Sequence, residues 1–81
     1  MVNRKPLPKR QFRLDFRPLR VARVASDLTV NALAETAGVS RWTIWRTEAN
    51  RSQPSIEQVV AIARALGRPM YELFRVEDVA R

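Results

Sequence analysis

Arg41, Trp42, Trp45 and Arg46 place two guanidinium groups and two indoles within one short stretch. At about 100° per residue, a helix carries all four on one face about 140° wide, with Ile44 and Thr47 on the other side. A guanidinium fork can pair bidentately with O6 and N7 of a guanine, and an indole can pack on thymine methyls and sugar edges. Two other readings of the indoles stay open. They could lie in the core, although Ile44 already takes the inward place, or they could rest on apolar residues of the chain or of a protein partner. What the chain lacks narrows the chemistry further. It has no Cys and no His. That removes disulfides, thiolate or imidazole metal sites and the usual nucleophiles and general bases. A cofactor-free enzyme would depend on the eight Asp and Glu residues alone. The chain is therefore read as a non-enzyme with no metal and no cofactor.

The elements that must hold this face follow from local signals. Pro18 suits the first turn of a helix reaching about Ala25. Asp27 and Leu28 link it to Thr29, an N-cap for a second helix from Val30 to Ala37, and Gly38 stops that helix in a left-handed conformation. Ser40 caps a third helix from Arg41 to about Ala49, which Asn50 can end because it tolerates the same conformation. Ser55 and Gln58 form a capping box for a fourth helix, with Ile56, Val59, Val60, Ala63 and Leu66 as its apolar stripe and Gly67 as its stop. Pro69 opens a short fifth helix with Met70, Leu73 and Phe74. Ala34 and Gly38 are small where the second and third helices approach. Two helices joined through a glycine-containing turn form a helix-turn-helix arrangement.

Ahead of these helices the pattern changes. In residues 11–17 Phe12, Leu14 and Phe16 alternate with Gln11, Arg13, Asp15 and Arg17, which predicts a short strand. A lone strand leaves its backbone unpaired, so it requires either a copy of itself in a dimer or the C-terminal tail. The sequence therefore divides into an arm at 1–17, a helical domain at 18–74 and a tail at 75–81. With 81 residues and 46% hydrophobic composition, one domain is all the chain supports. Its small core gains from dimerisation. Of the net charge of +7, residues 1–20 carry +6, since seven Lys and Arg stand there against Asp15 alone. A basic arm of this kind either binds a polyanion or serves solubility. No apolar run reaches the ~20 residues of a membrane span, and no signal-peptide core opens the chain. A cytoplasmic, nucleoid-associated protein without membrane contact is expected.

The stretch from Thr29 to Glu48 resembles the lambda-repressor-like, or XRE-type, helix-turn-helix family. Leu19, Arg20, Ala22 and Arg23 before it agree in register, as do Pro54, Ser55, Glu57, Val59, Ile62, Ala63, Ala65, Leu66, Gly67, Pro69, Glu72, Leu73 and Phe74 after it. The resemblance covers about residues 18–74 without insertion. It implies an all-α, five-helix domain, here with the basic arm and a short strand added. It also implies a third helix that reads the major groove. Base contacts then fall to Arg41, Trp42, Trp45 and Arg46. Phosphate contacts fall to Thr29, Val30 and Ser40 and to the loop residues Arg51, Ser52 and Gln53. Arg4, Lys5, Lys9 and Arg10 in the arm supply further contacts. Arg23 and Glu48 match a pair that bridges the first and third helices. Three departures stand out. Val30 replaces a usual Gln and Asn50 a usual Gly. Thr47 stands where a larger aliphatic residue normally packs, which predicts looser packing beneath the third helix.

The sequence is thus read as a sequence-specific, double-stranded-DNA-binding transcriptional regulator, a small homodimeric repressor on a pseudo-palindromic operator. Phe12, Leu14, Phe16, Phe74 and Val76 are the residues expected at the dimer interface. Two alternatives stand beside it: an antitoxin that represses its own promoter and grips a toxin partner, and a protein-interaction module built on the Trp face.

Overall fold

The first helix begins one residue earlier than Pro18 requires, and the reason lies in the strand before it. In the computed structural model, which describes residues 12–78 and only the backbone of Phe12, strand β1 runs Phe12–Asp15 and helix α1 runs Arg17–Ala25. Phe16 is the capping residue and offers no side-chain cap. Asp15 takes over that role: its Oδ1 accepts the Arg17 backbone N–H at 3.0 Å. Its carboxylate also accepts the Arg17 guanidinium at 2.9 and 2.8 Å. Alternation puts Asp15 on the outer face, yet the residue is only 5% exposed. The strand ends there, and the side chain turns back onto the first turn of α1.

The remaining helices lie where their caps put them. Helix α2 spans Val30–Ala37 behind Thr29, α3 spans Arg41–Glu48 behind Ser40, and α4 spans Ile56–Leu66 behind the Ser55–Gln58 capping box. Gly38 and Gly67 end α2 and α4 at φ of 74° and 66°, and Asn50 follows α3 at φ 61°. A Cβ built on Gly38 meets nothing within 4 Å. Gly38 is thus required for its backbone conformation and not for space, which corrects the close-approach reading. The expected fifth helix is not formed. Met70–Glu72 make a single 3-10 turn after Pro69, so the described residues hold four α-helices. With Leu73 buried at the end of the turn and strand β2 following at Arg75–Asp78, the chain has no room to extend it.

The fold is therefore mostly helical with a two-stranded sheet, and not all-α. Strands β1 and β2 pair antiparallel, Phe12 opposite Asp78 and Leu14 opposite Val76. Arg13 faces Glu77 and Asp15 faces Arg75. These opposite-charge pairs favour this register over a one-residue slip. The tail is thus the partner that the lone strand requires. Phe16, Leu19, Leu33, Ile44, Ile62 and Leu73 form the centre of the core, each at most 1% exposed. Phe16, expected at a dimer interface, is instead enclosed within the protomer, its ring 5.5 Å from that of Phe74. Ile56 also departs from expectation: it is 58% exposed, so the core stripe of α4 is Val59, Ile62 and Ala63.

The Asp15–Arg17 contact has a consequence in acid. Hydrogen bonds from Arg17 hold the Asp15 carboxyl at about 2, below its ordinary value of 3.8. A depressed folded-state value means that the contact stabilises the fold fully above the unfolded value and loses that contribution as pH falls from about 4 towards 2. Thermal melts over that window are expected to show a shallower pH dependence for Asp15→Asn than for the wild type. An unchanged slope would show that Asp15 titrates alike in the folded and unfolded chain.

Candidate nucleic-acid interface

Helix α3 is held by its buried side. Ile44 is fully enclosed and Thr47 is 1% exposed. The Thr47 hydroxyl donates to the Thr43 carbonyl at 2.6 Å. A hydroxyl in an apolar layer costs free energy only when unpaired, so the small residue at this position is accommodated with its polar group satisfied. The next residue, Glu48, accepts from Arg23 Nε at 2.6 Å and from Nη2 at 3.1 Å, and Arg23 Nη1 donates to the Leu28 carbonyl at 2.8 Å. The two side chains are 12% and 9% exposed. Their pairing raises the Arg23 pKa above its ordinary value. One guanidinium thus ties α1, the α1–α2 loop and α3 together, as the family pattern implied.

The opposite side of α3 is open. Arg41 and Arg46 are exposed, and Trp42 and Trp45 are 54% and 48% exposed. The two indoles meet edge to face, with centroids 6.1 Å apart and planes at 84°. The Arg41 guanidinium lies 5.3 Å from the centroid of Trp42, and that of Arg51 lies 6.0 Å from Trp45. Arg51 comes from the loop after α3, so a cation expected on the phosphates borders the face expected on the bases. A core position for the indoles is excluded by their exposure. The sequence did not show that Val30, Arg20 and Ala49 border one shallow depression with Trp45. Val30, in place of the usual Gln, gives that depression an apolar wall.

The flanking polar residues are placed as follows. Thr29 Oγ1 accepts from the Ala32 N–H at 3.0 Å, and Ser40 Oγ accepts from the Thr43 N–H at 3.1 Å. Both hydroxyls cap helices whose N-terminal N–H groups and dipoles favour an anion. Ser52 is half-buried. Gln53 donates from Nε2 to the Leu14 carbonyl at 2.9 Å, and Asn50 Oδ1 accepts the Phe16 N–H at 3.0 Å. Sequence reasoning missed these two amide contacts. They fasten the loop after α3 to the β1–α1 junction. Leu14 and Phe74 are half-buried and Val76 is exposed. Arg4, Lys5, Lys9, Arg10 and the Phe12 side chain lie outside the described residues. Among the described residues no cluster of His, Cys, Asp or Glu could hold a metal, and no helix is long and apolar enough to cross a membrane.

Comparison with known proteins agrees with this arrangement. The HTH_3 helix-turn-helix family matches residues 19–73. Among solved structures, the restriction-modification controller protein C.AhdI from Aeromonas hydrophila is 29% identical, with a TM-score of 0.69 over 72% of this chain and 88% of its own. The hypothetical transcription factor NHTF from Neisseria is 26% identical, with a TM-score of 0.65 over 73% of this chain and 72% of its own. The transcriptional regulator VanUg shares the fold at 20% identity, with a TM-score of 0.74 over 93% of this chain and 99% of its own. No curated protein matches the sequence.

Proposed function

The chain belongs to the XRE or lambda-repressor-like helix-turn-helix family, and from that premise we propose that it is a sequence-specific DNA-binding transcriptional regulator. It acts as a small homodimeric repressor that places α3 in the major groove of each half of a pseudo-palindromic operator. The observation that carries this reading is the open face of α3. Arg41 and two half-exposed indoles are ordered there by edge-to-face and cation–π contacts with Arg46 exposed beside them, while the far side is fixed by the Arg23–Glu48 bridge. Arg41 and Arg46 read base edges, and Trp42 and Trp45 pack on thymine methyls. The N-termini of α2 and α3, at Thr29, Val30 and Ser40, and the loop residues Arg51, Ser52 and Gln53 hold phosphates. The arm cations Arg4, Lys5, Lys9 and Arg10 add sequence-independent affinity. The likeness to a restriction-modification controller protein makes control of such a system the first setting to test.

An operator selected from random duplexes provides the test. Arg41→Ala is expected to cost ~1–3 kcal/mol at the selected site and to relax preference at one base pair. Arg51→Ala is expected to weaken all sequences alike and to reduce the salt slope of binding by about one. Titrations against a panel of single-base variants separate the two. Uniform loss in both variants would overturn the assignment of α3 as the base-reading helix.

A further inference from the structure

We propose that the outer face of α4 is a self-complementary docking surface for a second copy of this chain. This inference rests on the homodimer of the proposed function and supplies its contact. The face consists of Glu57, Val60, Ala61 and Arg64, on the side of α4 turned away from Val59, Ile62 and Ala63, with Ile56 at its edge. It borders an open apolar groove whose other wall is Thr36 and Ala37 at the end of α2. Ile56 is 58% exposed although it opens a helix whose other large aliphatic residues are covered or partly covered. Among the described residues neither the Glu57 carboxylate nor the Arg64 guanidinium has a hydrogen-bond or ion-pair partner.

The spacing of those two charges identifies the occupant. Glu57 and Arg64 are seven residues apart, about 10 Å along the helix, and lie on the same face. A two-fold axis passing between Val60 and Ala61 sets α4 antiparallel to its copy. Glu57 then meets Arg64 of the second copy, and Arg64 meets its Glu57. Val60 and Ala61 flank the axis, where short side chains let the helices approach. An isologous contact demands that one patch complement itself, and a helix with opposite charges placed symmetrically about small apolar residues does so. The antiparallel arrangement also aligns the helix dipoles favourably.

The other exposed apolar area does not have this property. Val21, Val24 and Tyr71 are 71%, 57% and 70% exposed on α1 and the 3-10 turn. Arg20, Arg68 and Arg75 border that area, with Glu72 already held by Arg68 at 3.1 Å. Two copies meeting there would bring arginines against arginines.

Sedimentation of the full chain, without DNA, tests the proposal by charge reversal. Glu57→Arg and Arg64→Glu each turn two cross-axis attractions into two repulsions and are expected to weaken dimerisation about tenfold or more. The double variant restores opposite charges across the axis and is expected to dimerise within about threefold of the wild type. Ala61→Arg, which places two cations at the axis, is expected to yield monomers while keeping a cooperative melt. Equal dimerisation of the wild type and both single reversals would overturn the α4 contact. So would a double variant as weak as the singles. Binding of each variant to a single half-site, read in parallel, keeps the two proposals apart. Retained half-site binding with reversal-insensitive dimers removes only the α4 contact. A wild type that is monomeric both free and on its operator removes the homodimer with it.

Discussion

Glu48→Ala is expected to destabilise the protein by about 3 kcal/mol and to weaken DNA binding beyond what the lost stability explains. The carboxylate is the partner of two guanidinium nitrogens, at 2.6 and 3.1 Å, and both side chains are largely shielded from water. Removing one member of such a pair leaves the other charge buried with only the Leu28 carbonyl to receive it, and this situation typically costs 3–5 kcal/mol. A domain of this length has roughly 4–12 kcal/mol in total, so the variant should melt many degrees lower. Glu48→Gln keeps one acceptor and should fall between the two. The effect on binding arises because the bridge fixes α3 against α1. Without it the helix that carries Arg41 and Trp45 is free to shift relative to the N-terminus of α2, which the proposed function sets on phosphate. Chemical denaturation and operator binding at a temperature where the variant is fully folded separate these contributions. A stability loss under 1 kcal/mol would identify the bridge as an ordinary surface pair.

Most of the helical framework was legible because its boundaries are local events. Thr29, Ser40 and Ser55 each accept a backbone N–H three residues on, and Gly38, Asn50 and Gly67 each adopt positive φ. Both signals depend on a single residue type next to a periodic segment. Legibility failed where the deciding contact is distant in sequence. The alternation around Phe12 and Leu14 required a strand partner, but the choice between a second copy and the tail depends on Arg13 facing Glu77 and Asp15 facing Arg75. The end of the strand was equally hidden. Phe16 follows the outward-inward alternation in sequence, yet its N–H is received by Asn50 and its ring is enclosed beside Phe74. Asn50 could be read as a residue that tolerates a left-handed turn. That its amide also anchors the start of α1 requires the fold. In the candidate site the open face of α3 followed from helical periodicity alone. The placement of Arg51 against Trp45 did not, because a loop conformation sets it.

The paired indoles are expected to matter far more for binding than for folding. Trp42→Ala and Trp45→Ala each remove an edge-to-face aromatic contact, worth about 0.5–1.5 kcal/mol, and one cation–π contact of about 0.5–1 kcal/mol at an exposed site. Each ring is already about half in water, so little core packing is lost and the destabilisation should stay near about 1 kcal/mol, roughly 4–8 °C in melting temperature. Binding is different. A half-exposed aromatic that becomes fully buried in a complex behaves as an anchor, and truncating an anchor typically costs 2 kcal/mol or more, about thirtyfold in affinity. Trp45 has the larger expected effect, because it stands between the α3 face and the Val30 depression and has Arg51 against it. The two tryptophans also report on their own burial. Adding operator should change their fluorescence, with a midpoint that moves strongly with salt. A protein-interaction module would show no change with DNA at any salt concentration. Loss of stability and of binding in equal measure would instead make the indoles part of the fold and leave the reading of bases to Arg41 and Arg46.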